Sequence, residues 1–250
     1  MIAFLSDIHG NTAALEAVLE DARAEGAGRF LCLGDVIGYG PEPRECLERI
    51  MDICEVCLLG NHEQGAMFYA ADFNPKARAA IEWTKDQLNS KDRGRDENFR
   101  LWNYISSMPE RWSEGEILCV HGSPRDPVRE YLLPSDAADP VKMRECFERM
   151  GESRICFIGH SHVPGVYEES GGFRSPGEFP EGFRLGAGKA IVNVGSIGQP
   201  RDGDVRSSYV LFDGDTVRFR RVTYDVEGTI RKIRDTDLPE YLAERLAVGR

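Results

Sequence analysis

The chain has 250 residues, 41% of them hydrophobic and 29% charged, with 31 Lys+Arg against 42 Asp+Glu and a formal charge of −11. That length supports a hydrophobic core without disulfides, and the acidic balance opposes stable attachment to nucleic-acid backbones or anionic membranes. A phosphate substrate is still allowed, because bound divalent cations reverse the charge locally.

The first apolar run, Ile2–Leu5, is short and follows no basic segment, so it does not read as a signal peptide. No run approaches the roughly 18 apolar residues of a membrane span. The expected location is cytoplasmic. The seven cysteines have no regular spacing and are expected as free thiols. Cys32, Cys57, Cys119 and Cys156 lie inside apolar runs and read as small core residues. Cys54 and Cys57 form one isolated CxxC, which is weak as a metal or redox motif.

In chain order, IAFL leads into Ser6-Asp7-Ile8-His9, FLCL into Gly34-Asp35, and VCLL into Gly60-Asn61-His62-Glu63. ILCV then leads into His121-Gly122, ICFI into Gly159-His160-Ser161-His162, and IVNV into Gly195-Ser196. Short apolar runs stopped by glycine predict buried strands. Helices are expected over Asn11–Glu25, Arg44–Met51, Pro75–Leu88, Asn98–Met108 and Val141–Met150. The segment 168–188 reads as an irregular loop or bent hairpin. Residues 208–224 read as a hairpin turning at Asp213-Gly214. A single 1–250 domain is expected. It carries a helical excursion at about 73–112 and a helical tail at about 229–250, broken near Pro239.

All five histidines, His9, His62, His121, His160 and His162, follow an apolar run and sit beside Gly, Asp or Asn. One such histidine alone is usually a structural or surface residue. Five together, each expected at a strand end and none in a helix, point to a shared rim, because α/β sheets bind ligands at the carboxyl ends of their strands. Asp7/His9 and His160/His162 are each two residues apart, which on an extended strand places both side chains on one side. Imidazole, carboxylate and carboxamide together suit Mn, Fe, Ni or Zn ions. The donors outnumber what one ion needs, so a pair sharing a carboxylate uses them better.

These blocks resemble the calcineurin-like metallophosphoesterases. DIH at Asp7–His9, GD at Gly34-Asp35, GNHE at Gly60–Glu63, His121, and GHSH at Gly159–His162 appear in the family's order. SDIHGN, GYGPEP, HGSPRDP and NVGSIGQPRDG are similar to YfcE-like prokaryotic phosphodiesterases. The resemblance runs from Ile2 to about Asp225. It implies an α/β, four-layer αββα sandwich of two mixed sheets flanked by helices.

The resemblance also implies that Asp7, His9 and His162 hold one divalent ion, that Asn61, His121 and His160 hold a second, and that Asp35 bridges them. Manganese is the first expectation for the pair. His62 then faces the substrate phosphate as the catalytic residue, oriented by Glu63 or by a main-chain carbonyl. The implied activity is hydrolysis of a small phosphate ester, preferentially a phosphodiester, by a metal-bridging hydroxide attacking phosphorus. Asn11 either contacts phosphate as a substrate-binding residue or caps the helix after it. Tyr39 is a stacking platform or a structural aromatic. Arg125 and Arg201 are either phosphate contacts or solvated surface residues.

Two other functions share these motifs. One is a non-catalytic scaffold that keeps the fold. The other is an enzyme of different specificity, a phosphoprotein phosphatase or a dinucleoside polyphosphate hydrolase. Neither oligomeric state nor physiological substrate is encoded in these motifs.

Overall fold

Alternation along the first strand sets the layers. In β1 (Ile2–Leu5), Ile2 and Phe4 point to one side, and Ala3 and Leu5 to the other. Ala3 and Leu5 pack against Leu15, Val18 and Leu19 of α1 (Thr12–Ala24) and against Leu47 and Ile50 of α2 (Pro43–Ile53). Phe4 faces the second sheet, where its ring stacks on Phe157 at 3.7 Å between centroids.

The computed structural model describes residues 1–68, 70 and 73–250. Between α1 and α2 runs β2 (Arg29–Cys32); after α2 come β3 (Val56–Cys57) and α3 (Asn61–Met67). α4 (Pro75–Leu88) and α5 (Arg95–Ser107) form the expected helical excursion. β4 (Arg111–Glu114), β5 (Ile117–Val120), α6 (Pro140–Arg149) and β6 (Ile155–Ile158) follow. Then come β7 (Gly165–Glu168), β8 (Gly172–Arg174), β9 (Phe183–Arg184), β10 (Ala190–Asn193), β11 (Ser207–Phe212) and β12 (Thr216–Val222). The chain closes with α7 (Val226–Arg234) and α8 (Tyr241–Leu246).

The strands form two six-stranded mixed sheets, ordered β3-β2-β1-β11-β12-β9 and β4-β5-β6-β10-β7-β8. In the first, β1, β2 and β3 are parallel, while β11 and β12 run antiparallel. In the second, β6 lies parallel to both β5 and β10. α1 and α2 cover the first sheet; Met143, Cys146 and Phe147 of α6 cover the second. This is the expected four-layer αββα sandwich.

Two local expectations change. The end of the 73–112 stretch is a strand, β4, paired antiparallel to β5 through Arg111↔Val120. Its side chains are largely exposed, so no apolar run announces it. The 168–188 stretch is divided between the sheets: β8 pairs with β7, and β9 pairs with β12. Its Gly and Pro residues let one segment cross between layers. The tail is two helices separated around Pro239. Ile230, Ile233, Leu238, Leu242 and Leu246 pack it against Tyr39 and against Ala77 and Ala80 of α4. The tail thus lies at the rim where the parallel strands end.

All seven cysteines are free thiols. Among the described residues no helix is long and apolar enough to cross a membrane.

One ion pair ties α1 to the antiparallel half of the first sheet. Asp21 accepts from Tyr209 Oη at 2.7 Å and from Arg220 Nε and Nη2 at 3.1 and 2.8 Å. Burial alone would raise the Asp21 carboxyl, but Arg220 and Tyr209 outweigh it and hold it below its ordinary value. The stabilisation is therefore present above the unfolded carboxyl pKa of about 4 and is lost as pH falls through the folded value. Asp21→Asn should lower stability by about 1–2 kcal/mol at neutral pH. Urea unfolding across acidic pH should show the gap to the parent protein closing as the carboxyl protonates.

Candidate metal centre

The predicted donors converge on one rim of the sandwich. They come from the loops after β1 (Asp7, His9), β2 (Asp35), β3 (Asn61, His62), β5 (His121) and β6 (His160, His162). Ligand atoms of Asp7, His9 and His162 lie within 4.8 Å of one another, and so do those of Asp35, His121 and His160. A third set within the same limit joins His9, Asp35 and His62. Asp35 thus adjoins both imidazole groups. Its Oδ2 is 3.8 Å from His9 Nε2 and 3.4 Å from His121 Nε2. Asn61 Oδ1 is 3.1 Å from His121 Nε2. All these side chains are buried.

Two expectations about how they converge are corrected. His62 is not at a strand end outside any helix; it is the second residue of α3. Nor do the i, i+2 pairs lie on extended strands. Asp7, His9, Asp35, His160 and His162 all have left-handed backbone, with φ between 50° and 63°. Tyr39 is the only other non-glycine residue with positive φ among the described residues. Left-handed geometry costs an L-residue roughly 1–2 kcal/mol, and here it is confined to the site. The tight turns aim each side chain back over the strand end.

Tight approach of the loops explains two glycines. At Gly159 a Cβ would lie 1.9 Å from Ser6 Oγ and 2.5 Å from Asp7 Oδ2. At Gly60 it would lie 2.2 Å from Asp35 Oδ1. These gaps let His160 N donate to Asp7 Oδ2 and His62 N donate to Asp35 Oδ1, both at 2.9 Å.

Main-chain carbonyls orient the imidazoles. His9 Nδ1 bonds Ile37 O at 3.0 Å, His121 Nδ1 bonds Leu33 O at 3.0 Å, and His162 Nδ1 bonds Gln199 O at 2.5 Å. His160 uses Nε2 instead, on Arg129 O at 3.1 Å. A ring N–H committed to a carbonyl leaves the other nitrogen as a lone pair. His9 Nε2 and His162 Nε2 then face each other at 3.2 Å. Beside them lies Asp7 Oδ1, 3.0 Å from His162 Nε2 and 3.8 Å from His9 Nε2, buried without a hydrogen-bond donor. Lone pairs and an anionic oxygen aimed at one point need a cation to offset their repulsion. The donor set therefore fits a divalent ion.

Electrostatics follow the same division. Burial opposes charge on both carboxyls, yet facing histidines, His162 for Asp7 and His121 for Asp35, hold each below the ordinary carboxylate range. Burial pushes His160 down to about 3 and His62 down to about 4. His121 is buried too, but the Asp35 carboxylate raises it to about 9.

Glu63 holds the loops rather than His62. Its Oε1 accepts from the N–H groups of Val36 and Ile37, at 2.8 and 3.1 Å. Its Oε2 accepts from Asp35 N and Gly60 N, at 2.9 and 3.1 Å. Burial and neighbouring Asp35 push this carboxyl up to about 7 against those donors. Asn11 is committed inward. Its Oδ1 accepts from Ala14 N and Thr229 Oγ1, and its Nδ2 donates to Gly198 O. The substrate contact expected of it gives way to the helix cap. Arg125 is paired with Glu130 and Glu145. Arg201 lies beside the site, with its guanidinium 5.7 Å from the Tyr39 ring centre. Tyr39 packs on His9 and His62, with centroids at 4.6 and 4.3 Å.

Tyr131 was not anticipated; its ring stacks on His160 at 3.7 Å. An isolated tyrosine outside any motif carries no signal for this in the sequence. A cavity of about 380 Å³ opens over Asn61 and His160, walled by Tyr39, Phe73, Arg129 and Tyr131.

The family model for calcineurin-like phosphoesterases matches residues 1–171. The chain belongs to this family. An uncharacterized protein from Methanocaldococcus jannaschii is 36% identical over 258 residues, covering 100% of this chain and 98% of that protein. The crystal structure of a metallophosphoesterase from Sphaerobacter thermophilus is 36% identical, covers 100% of this chain and 98% of its own, and superposes with a TM-score of 0.83. Yfce, a phosphoesterase from E. coli, is 18% identical over 86% of this chain and 90% of its own, with a TM-score of 0.43. Membership makes this phosphoesterase metal-dependent, and the His/Asp clusters are where divalent ions fit.

In this phosphoesterase Glu63→Gln would turn an amide NH2 toward N–H groups that now have a carboxylate acceptor. We expect a loss of about 2–3 kcal/mol, or a melting temperature lower by roughly 5–10 °C, measured by calorimetry. An unshifted melt would show that the Glu63 bonds do not hold the two loops.

Proposed function

We propose that this protein hydrolyses small phosphate esters, with phosphodiesters preferred, at a two-cation centre. Asp7, His9 and His162 are assigned to one ion, Asn61, His121 and His160 to the other, and Asp35 to both. The observation that carries this reading is the position of Asp35, with its carboxylate oxygen facing imidazoles from both groups. When bound, a pair of divalent ions supplies positive charge to the phosphoryl oxygens and activates water for in-line attack. Manganese is the first choice for the pair.

The chain's own groups do the rest. Main-chain carbonyls hold the imidazoles in one orientation, so little reorganisation is needed on binding. His62 Nδ1 is buried without a partner, next to the ligand cluster. We assign this ring to the leaving oxygen, where an N–H donor or a proton stabilises the charge that develops. Tyr39 and Phe73 pack against the His62 ring and limit its rotation. The cavity beside Asn61 and His160 is of small-molecule size, which favours a small ester over a phosphoprotein.

Purified protein should bind two equivalents of Mn²⁺ per chain by calorimetry and should melt at higher temperature when loaded, because the ions bind only the folded state. It should turn over bis-p-nitrophenyl phosphate. Asp35→Asn and His62→Ala should each reduce kcat by roughly 10²–10⁴-fold. Unchanged turnover in both variants would remove these roles, and one equivalent of bound metal would remove the paired centre.

A further inference from the structure

Next to the catalytic cavity lies a second one of about 220 Å³, lined by Tyr39, Asn74, Lys76, Tyr241, Leu242 and Arg245 among others. The two share Tyr39, Asn74 and Ala77 as a common wall. The two thus lie side by side about the Tyr39 ring, one toward the candidate metal donors and the other toward the C-terminal tail.

The tail side is cationic in a chain of charge −11. Lys76 Nζ sits 3.5 Å above the Tyr241 ring centre, and Arg245 Cζ sits 5.4 Å from the same centre. Arg201 approaches from the side of Tyr39. Its Nη2 donates to Gln199 Oε1, while its Nε is buried without a partner. Arg245 donates through Nε to the terminal carboxylate of Arg250, which leaves its Nη1 and Nη2 groups for another anion. Among the described residues none of these three cations has an Asp or Glu within ion-pair distance. Most other surface arginines of the chain do, Arg29, Arg49, Arg206 and Arg221 among them. Burial, and then the neighbouring Arg201 guanidinium, hold Arg245 below its ordinary range. Cations clustered against their mutual repulsion, beside a cavity and with no Asp or Glu in reach, are arranged for an anion.

We propose that Lys76 and Arg245 form a second phosphate subsite, with Arg201 beside Tyr39 adding positive charge, so that the substrate is an organic phosphoester carrying a further phosphate on the far side of the Tyr39 ring. The inference rests on the phosphoesterase reading above and narrows its substrate class. The reacting phosphoryl group sits at the metal donors. The organic body lies against Tyr39 and Phe73. The second phosphate reaches Arg245 and Lys76 and takes no part in bond breaking. Tetrahedral oxyanions suit guanidinium donors, which engage them with two parallel N–H bonds. Because Arg245 and Tyr241 belong to the last helix, the tail is a specificity element of this site.

Two chromogenic diesters separate the ideas: thymidine 5′-(p-nitrophenyl phosphate), and the same compound with a phosphate on its 3′-oxygen. The parent protein should favour the second in kcat/KM by about 10–100-fold, the range that one or two charge-assisted contacts produce. In the Lys76→Gln/Arg245→Gln variant that preference should collapse toward unity. Arg245→Lys, which keeps the charge, should retain a clear part of it and shows that folding is not the cause. Calorimetric affinities of full-length protein for thymidine 5′-monophosphate and thymidine 3′,5′-bisphosphate give a readout independent of turnover. The bisphosphate should bind more tightly to the parent protein, and the two should bind alike to the double variant. Equal affinities in the parent protein, or a preference unaltered by the double variant, would overturn the subsite. Absence of turnover on either diester would instead sink the phosphoesterase reading, and the affinity ratio would still decide the subsite.

Discussion

A single buried carboxylate, Asp35, is the point on which the two halves of the sandwich depend. It leaves the end of β2 in a left-handed turn, faces imidazoles carried by both sheets, and accepts the N–H of His62 at the start of α3. Burying a carboxylate in this way costs several kcal/mol unless it is fully engaged. The surrounding histidines, the close approach of Gly60 and the Glu63 scaffold are the engagement. The site is therefore not an addition to a finished fold. It closes the rim where two sheets would otherwise present strained, polar loops to each other.

The strain has a clear distribution. Positive φ at non-glycine residues is confined, among the described residues, to five donor residues and Tyr39. Each such turn is unfavourable alone, so each must be held by other bonds. Asp7 N donates to Gly34 O, His9 N to Asp35 O and Gly10 N to Val36 O, which continues the β1–β2 ladder past the strand ends. Ile197 N and Gly198 N donate to Ser6 O and Asp7 O from the opposite side. The Asp7 loop is thus clasped by neighbours from both sides of the chain's length.

The tail gives the rim a second character. α7 and α8 bury apolar residues against Tyr39 and α4, and in doing so bring Tyr241 and Arg245 to the cavity that shares Tyr39, Asn74 and Ala77 with the one over Asn61 and His160. The family match ends at residue 171, well before this segment. The candidate donors thus fall within the family match, whereas Tyr241 and Arg245 fall outside it.

The sequence by itself determined most of the strands and, through its motifs, the family and the four-layer architecture. Short apolar runs are a local property, and Asp7, His9, Asp35, Asn61, His121, His160 and His162 all follow such runs, most of them stopped by glycine. What lay beyond it was decided by partners distant in the chain. His62 sits in the first turn of a helix, where Asp35 Oδ1 takes its N–H, and Asn11 is committed to capping because Ala14, Gly198 and Thr229 surround it. β4 escaped notice because an edge strand with exposed side chains has no hydrophobic period to read. The carbonyls that aim the imidazoles belong to Leu33, Ile37, Arg129 and Gln199, whose side chains play no part in it, so only the folded backbone reveals them.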